Sequence, residues 1–345
     1  MCGNEACAEG AILAGCDFYA GYPITPQNEL TECMSKRMPE EGRIFIQSES
    51  EIAAINMVFG ASVTGARAMT SSSSPGISLK QEGISYLAGC ELPGVIVNVM
   101  RGGPGLGNIA PAQSDYFQAT KGGGHGDYRN IVIAPHTVQE MMDFMKLAFD
   151  LADEYRNPVM VLTDGILGQM MEPVRFPSGR GTSKKANKPW ALTGCKGRKS
   201  RFIRSLLLKD GELEALNDKL QQKYADIEKK EIRYEEINTK DADVVLIGYG
   251  SIARTLKAIM YKGRSEGKKI GLLRPITLWP FPYKQIEQLA EKVGHLFVVE
   301  MSAGQMVEDV RLAACGKANV RFYGRTGGGV PTQEEIESIL YEGNI

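Results

Sequence analysis

A chain of 345 residues is longer than one hydrophobic core usually supports, so two cores of unequal size are expected. With 43% hydrophobic and 23% charged residues the composition is that of a globular protein and excludes a disordered one. The formal net charge of -1 leaves no basic excess to attract nucleic acid or an anionic membrane.

From residue 5 the pattern alternates between helix and strand. EACAEGAILAG (5–15) reads as a helix, DFYAGY (17–22) as a strand, PQNELTECMSKRM (26–38) as a helix opened by Pro26, and RIFIQ (43–47) as a strand. The alternation continues with the helix ESEIAAINMVFGASV, the strand ARAMTSS, the helix PGISLKQEGISYLAGC and the apolar strand GVIVNVM. After a Gly-rich interval, NIVIAP, the helix TVQEMMDFMKLAFDLADEY and the strand PVMVLTD close a first domain, 1–177. Such an order implies an α/β fold with a parallel sheet covered on both faces.

Residues 178–240 read as a connector, with a basic stretch SGRGTSKKANKPW and a charged helix GELEALNDKLQQKYADIEKKEIRYEE solvated along one edge. The remainder, 241–345, reads as a smaller α/β domain: VVLIGYG as strand, SIARTLKAIMYKG as helix, KKIGLLRP as strand, TLWPFP as a Pro-rich turn, YKQIEQLAEKV as helix and HLFVVE as strand. No run of about eighteen apolar residues occurs, and the N-terminus has no basic segment before an apolar one, so a cytoplasmic location is expected. The seven cysteines are scattered without a CxxC pair, which suits reduced, buried thiols and leaves no place for an iron–sulfur cluster in this chain.

Four segments carry candidate chemistry. GYPITP (21–26) places Thr25 before Pro26 at a helix N-terminus, where capping and ligand contact at a strand end are both open. QSESEI puts Ser48, Glu49 and Glu51 at the start of a helix; from Ile52 to Val63 that helix carries no charge, and a carboxylate heading a buried helix is costly without a partner. MRGGPGLGN delivers Arg101 to a strand end beside glycines, where its fork can grip a carboxylate or a surface acid. His125 and Asp127 in KGGGHGD suit a turn or a polar site, and three unspaced histidines support no metal site. GYGSIA also matches a dinucleotide fingerprint with Arg274 at the next strand end, which keeps an NADP-dependent oxidoreductase open.

Taken together, GYPITP, SESEIAAINMVFGAS, the SSSSPGIS to RGGPG run, LLRPITLWPFP and VVEMSAGQM resemble the α subunits of 2-oxoacid:ferredoxin oxidoreductases, over essentially the whole chain. SSSSPGIS, RGGPGLGN, ATKGGGHGDYR and GRTGGGVPT are most similar to the 3-methyl-2-oxobutanoate (2-ketoisovalerate) type. The resemblance implies a thiamine diphosphate-binding, pyrimidine-domain fold followed by a transketolase C-terminal-like domain. It implies oxidative decarboxylation of a branched-chain 2-oxoacid to its acyl-coenzyme A, with electrons to ferredoxin, and 2-oxoglutarate or pyruvate as alternative substrates.

By position the resemblance assigns Glu51 to the aminopyrimidine ring, Tyr22, Pro23 and Ile24 to the cofactor, and Thr25, Arg101 and Leu106 to the substrate. RGGPGL stands where 2-oxoglutarate relatives read RGGPST, so Leu106 replaces a hydroxyl. No GDG segment for Mg2+ and diphosphate is present. Half a cofactor site implies a β subunit that completes it, with Mg2+ and [4Fe-4S] clusters in the β, γ and δ partners. A non-catalytic scaffold is the remaining alternative, and it has no need of Glu51, Thr25 and Arg101 together.

Overall fold

The computed structural model describes residues 1–177 and 187–342; of the basic stretch 178–190, residues 178–186 lie outside the described residues. The chain runs α1 (Gly3–Leu13), β1 (Phe18–Gly21), α2 (Asn28–Glu40), β2 (Ile44–Gln47), α3 (Glu51–Val63), β3 (Ala68–Ser72), α4 (Ser74–Gly89), β4 (Gly94–Met100), α5 (Tyr116–Thr120), β5 (Ile131–Ile133), α6 (Val138–Tyr155), β6 (Pro158–Asp164) and α7 (Gly165–Gln169). There follow α8 (Glu212–Lys230), β7 (Tyr234–Ile237), β8 (Val244–Ile247), α9 (Gly250–Ser265), β9 (Ile270–Pro275), β10 (Thr277–Trp279), α10 (Tyr283–Lys292), β11 (His295–Glu300), α11 (Met306–Ala314), β12 (Asn319–Gly324) and α12 (Gln333–Tyr341).

Seven strands form the first sheet in the order β10-β5-β6-β4-β3-β1-β2, and five form the second in the order β12-β11-β8-β9-β7. Every residue of β4 and of β6 is buried, as strands covered by helices on both faces must be. Within the first sheet all pairs from β5 to β2 are parallel, so the strand C-termini share one edge. That edge is where ligands of open α/β sheets bind. No helix among the described residues is long and apolar enough to cross a membrane.

Three expected boundaries need correction. Helix α2 opens two residues after Pro26, with Gln27 as its cap, because the Pro26 carbonyl is taken by Asn4 Nδ2 at 2.8 Å. Ser48 and Glu49 precede α3 rather than open it: Ser48 Oγ ties back to the Gly21 and Ser50 carbonyls, and Ser50 caps the helix by accepting from Ala53 N at 3.1 Å. The charged helix stops at Lys230. Beyond it Tyr234–Ile237 pairs antiparallel with β9, where Glu235 meets Lys257 and Arg274.

The Pro-rich turn TLWPFP contains β10, which pairs antiparallel with β5 and places a strand from the second part of the chain at the edge of the first sheet. Three further elements that sequence reading left unassigned, α11, β12 and α12, complete the second sheet and its cover.

Candidate active site

Glu51 is the first residue of α3 and is 6% exposed, with no hydrogen bond to its carboxylate among the described residues. It faces α4 at Gly76, where a Cβ would come 2.6 Å from Glu51 Oε1 and 2.1 Å from Ser72 Oγ. Glycine therefore lets the carboxylate and the hydroxyl close directly onto the backbone of α4. Ser72 and Ser73 hydroxyls are buried without a partner beside it. Strand alternation turns Thr70 and Ser72 toward α3 and α4 and Ser71 to the other face.

On that other face Tyr19 OH lies 2.6 Å from Ser71 Oγ and 3.0 Å from Thr31 Oγ1, and both hydroxyls donate to Gln27 Oε1. Gln27, fully buried, holds the preceding loop by donating to the Tyr22 carbonyl at 3.4 Å. In that loop Tyr22 and Pro23 are exposed while Ile24 and Thr25 are half-buried. The polar cluster is thus a floor under GYPITP that sequence reading missed. A fully buried glutamine beside three hydroxyl-bearing residues on separate elements has no signature along the chain.

Arg101 follows β4 and is 7% exposed. Its Nη1 donates to the Thr25 carbonyl at 3.0 Å and its Nη2 to the Leu106 carbonyl at 3.1 Å, while Nε is buried with no partner. Among the described residues the guanidinium is bound only by neutral carbonyls, so its charge is not cancelled by an acid. Thr25 and Arg101 are brought together as expected from a shared strand edge. Leu106 joins them through its carbonyl, and its side chain is 82% exposed.

Beside Arg101 a cleft of about 680 Å³ separates the two parts of the chain, lined by Ser74, Gly103, Pro104, Asp115, Met301 and Gln305 among others. Asp115 accepts from Ser74 Oγ at 2.6 Å and from Asn98 Nδ2 at 2.9 Å, and burial pushes its carboxyl group above the usual range. Asn108 Nδ2 donates to the Gly327 carbonyl at 2.9 Å, which fastens the loop after Arg101 to the second part. Gln113 exchanges hydrogen bonds with Met301, and Gln305 with Ser114 and Phe117.

Other expected candidates fall elsewhere. His125 and Asp127 are exposed, their carbonyls accepting from Ser85 and Gln221. No metal-holding group of histidine, cysteine or acidic residues occurs among the described residues. GYGSIA cannot take a pyrophosphate: the start of α9 is buried, and Asp164 Oδ2 already accepts from Ser251 N at 3.2 Å. Arg274 is 3% exposed and paired with Glu140 and Glu235, so it offers no free guanidinium to a 2'-phosphate.

Family models agree with this geometry. Residues 9–234 match the thiamine diphosphate-binding model of pyruvate flavodoxin/ferredoxin oxidoreductase, and residues 242–336 match pyruvate:ferredoxin oxidoreductase core domain II. The ketoisovalerate oxidoreductase subunit VorB of Methanothermobacter marburgensis is 53% identical over 97% of this chain and 94% of its own. A 2-oxoglutarate:ferredoxin oxidoreductase from Magnetococcus marinus, solved with 2-oxoglutarate, coenzyme A and succinyl-CoA bound, superposes with a TM-score of 0.86 at 28% identity, covering 99% of this chain and 64% of that one. A split-gene transketolase, 13% identical, covers 99% of this chain and 97% of its own with a TM-score of 0.63, which shows the shared fold alone. The chain belongs to the 2-oxoacid:ferredoxin oxidoreductases and is a subunit of one of these thiamine-dependent enzymes.

Proposed function

We propose that this chain supplies the pyrimidine half of a thiamine diphosphate site in a complex that oxidatively decarboxylates a branched-chain 2-oxoacid, foremost 3-methyl-2-oxobutanoate. The products are the acyl-coenzyme A, carbon dioxide and electrons for ferredoxin. One observation carries the reading. Two buried charges, Glu51 and Arg101, stand at the C-terminal edge of one sheet with unsatisfied capacity for a ligand.

The residues fit the cofactor: a buried carboxylate and unpartnered hydroxyls meet beside Gly76, a set of polar groups that suits the edge of a nitrogen heterocycle. Bound there, thiamine diphosphate supplies the electron sink for decarboxylation. Glu51 would hold a ring nitrogen and pass a proton to and from it, and Tyr22, Pro23 and Ile24 would line the ring's exposed side. Arg101, fixed by the Thr25 and Leu106 carbonyls, would pair with the substrate carboxylate through its remaining donors. Its alignment with Thr25 orients the keto carbon before any bond changes.

The chain lacks a GDG segment and cluster cysteines, so Mg2+, diphosphate and [4Fe-4S] clusters fall to β, γ and δ partners. We place the complex in the cytoplasm, where its seven unpaired cysteines stay reduced. For the substrate, the support is the 53% identity to a ketoisovalerate subunit against 39% to a 2-oxoglutarate synthase subunit from the same organism, together with leucine at position 106. Leu106 lines the substrate's distal end once a partner covers its exposed side chain.

The test is a panel of 2-oxoacids offered to the assembled complex with a viologen dye. 3-Methyl-2-oxobutanoate is expected to exceed 2-oxoglutarate in kcat/KM by at least about tenfold. Leu106→Thr narrows that gap, and the chain alone is colourless and inactive. A complex that turns over 2-oxoglutarate as well as the branched acid overturns the substrate assignment.

A further inference from the structure

Lys80 has no part in the site as described so far. It is fully buried, the only lysine so placed among the described residues, and its Nζ donates to Thr70 Oγ1 at 3.0 Å. No carboxylate stands within salt-bridge range of it among those residues. A buried ammonium held by one hydroxyl is a costly choice where methionine or leucine would fill the same space.

Its position follows from how α3 and α4 meet. Glu51 and Ile55 share a face of α3, one turn apart; Gly76, Lys80 and Gly83 share a face of α4. A Cβ on Gly76 would meet Glu51 Oε1 at 2.6 Å, and one on Gly83 would meet Ile55 Cγ2 at 2.6 Å. The helices are therefore closed on each other at two glycines, and Lys80 lies between the two contacts, one turn beyond Gly76. Thr70 approaches from β3 on the face that also carries Ser72.

The groups acting on the ammonium are few. Burial outweighs the opposing charge of Glu51 on α3 and leaves its pKa lowered from 10.5 to about 7; Thr70 on β3 is uncharged.

We propose that Lys80 is a positioning residue for Glu51, a buried counter-charge that stabilises the carboxylate whenever Glu51 gives its proton to the ring it holds. The proposal rests on the reading of Glu51 given above. Lys80 touches neither substrate nor cofactor and acts through Glu51 alone. The proton that leaves Glu51 goes to the ring nitrogen and returns from it, so Lys80 gains and loses nothing in the step. Its charge sets only how readily the transfer occurs.

Two measurements test this. In the full chain without cofactor, side-chain NMR of labelled lysine is expected to show an ammonium titrating near neutrality that is missing from Lys80→Met. Glu51→Gln removes the negative neighbour and is expected to move that midpoint to lower pH. A midpoint that Glu51→Gln leaves in place overturns the proposal, and this holds even if Lys80→Met does not fold.

In the assembled complex, Lys80→Met is expected to slow exchange of the C2 proton of bound thiamine diphosphate about tenfold, as one unit of lost coupling would. It is also expected to flatten the pH profile of exchange around neutrality while cofactor affinity and melting temperature hold. A merely structural lysine would give the opposite pattern, with affinity or stability lost and the exchange profile unchanged in shape. Glu51→Gln separates the two failures. If it does not slow exchange, the reading of Glu51 falls and takes Lys80 with it. If it slows exchange and Lys80→Met does not, the Lys80 proposal alone falls.

Discussion

Gly76→Ala addresses the seat of Glu51 most directly. The added methyl would stand 2.1 Å from Ser72 Oγ, 2.6 Å from Glu51 Oε1 and 3.0 Å from Glu51 Cγ. Ser72 Oγ has no hydrogen bond to lose and can rotate aside. Glu51 cannot yield so cheaply: the contact is about 1 Å short of van der Waals separation, and the carboxylate must retreat from α4. For folding, overpacking costs about 1–3 kcal/mol, and alanine's better helix propensity returns about 1 kcal/mol of it. The melting temperature of the chain is therefore expected to fall only slightly.

Cofactor binding is another matter, since the methyl displaces the acid that would hold the ring. Loss of one hydrogen bond to a charged group, about 1.5–3 kcal/mol, corresponds to roughly 10- to 150-fold weaker binding of thiamine diphosphate. Calorimetric titration of the assembled complex reads this directly. Combining Gly76→Ala with Ser72→Ala relieves the hydroxyl clash and leaves the carboxylate clash, so the double variant is expected to stay weak. If Gly76→Ala binds the cofactor within about twofold of the natural chain, the carboxylate beside Gly76 does not hold it, and the argument from Glu51 fails.

Two further outcomes can be stated. Arg101→Lys keeps the charge and loses the planar fork, so the KM for the 2-oxoacid is expected to rise about 30- to 150-fold with little change in melting temperature; an unchanged KM would remove Arg101 from carboxylate binding. For Glu140, burial acts to raise the pKa, but hydrogen bonds from His136 and Arg274 outweigh it and hold the group at about 2 rather than 4.5. A depressed carboxylate contributes stability that is present above its unfolded value and lost as pH falls through its folded one. About 3 kcal/mol should thus disappear across that interval, and Arg274→Met should flatten that loss in a urea-midpoint-against-pH series; superimposable acid limbs would refute it.

Much of the first sheet was legible because its strands are short apolar runs between helical periods, as GVIVNVM and PVMVLTD show. Chain order then places Thr25 and Arg101 at one edge without further information. What could not be read is what depends on contacts between distant segments. TLWPFP has the composition of a turn and becomes β10 only because β5 offers it an edge. EIRYEE alternates in a way that suits an exposed helix or an edge strand, and pairing with β9 decides it. Lys80 sits in SLKQEG, where lysine ordinarily marks a solvated face, and only the packing of α3 on α4 shows that it points inward. GYGSIA satisfied a local pattern, yet Asp164, far away in the chain, fills the place a phosphate would need.

The loan of β10 to the first sheet bears on how the polypeptide comes off the ribosome. Until Thr277–Trp279 has been made, β5 lies at the rim with its outer hydrogen-bonding groups open, and the nascent pyrimidine domain carries an unfinished border. Such a border is a template for another chain of the same kind. The two sheets thus mature together rather than in succession, and cutting the gene between them would leave the N-terminal product prone to self-association.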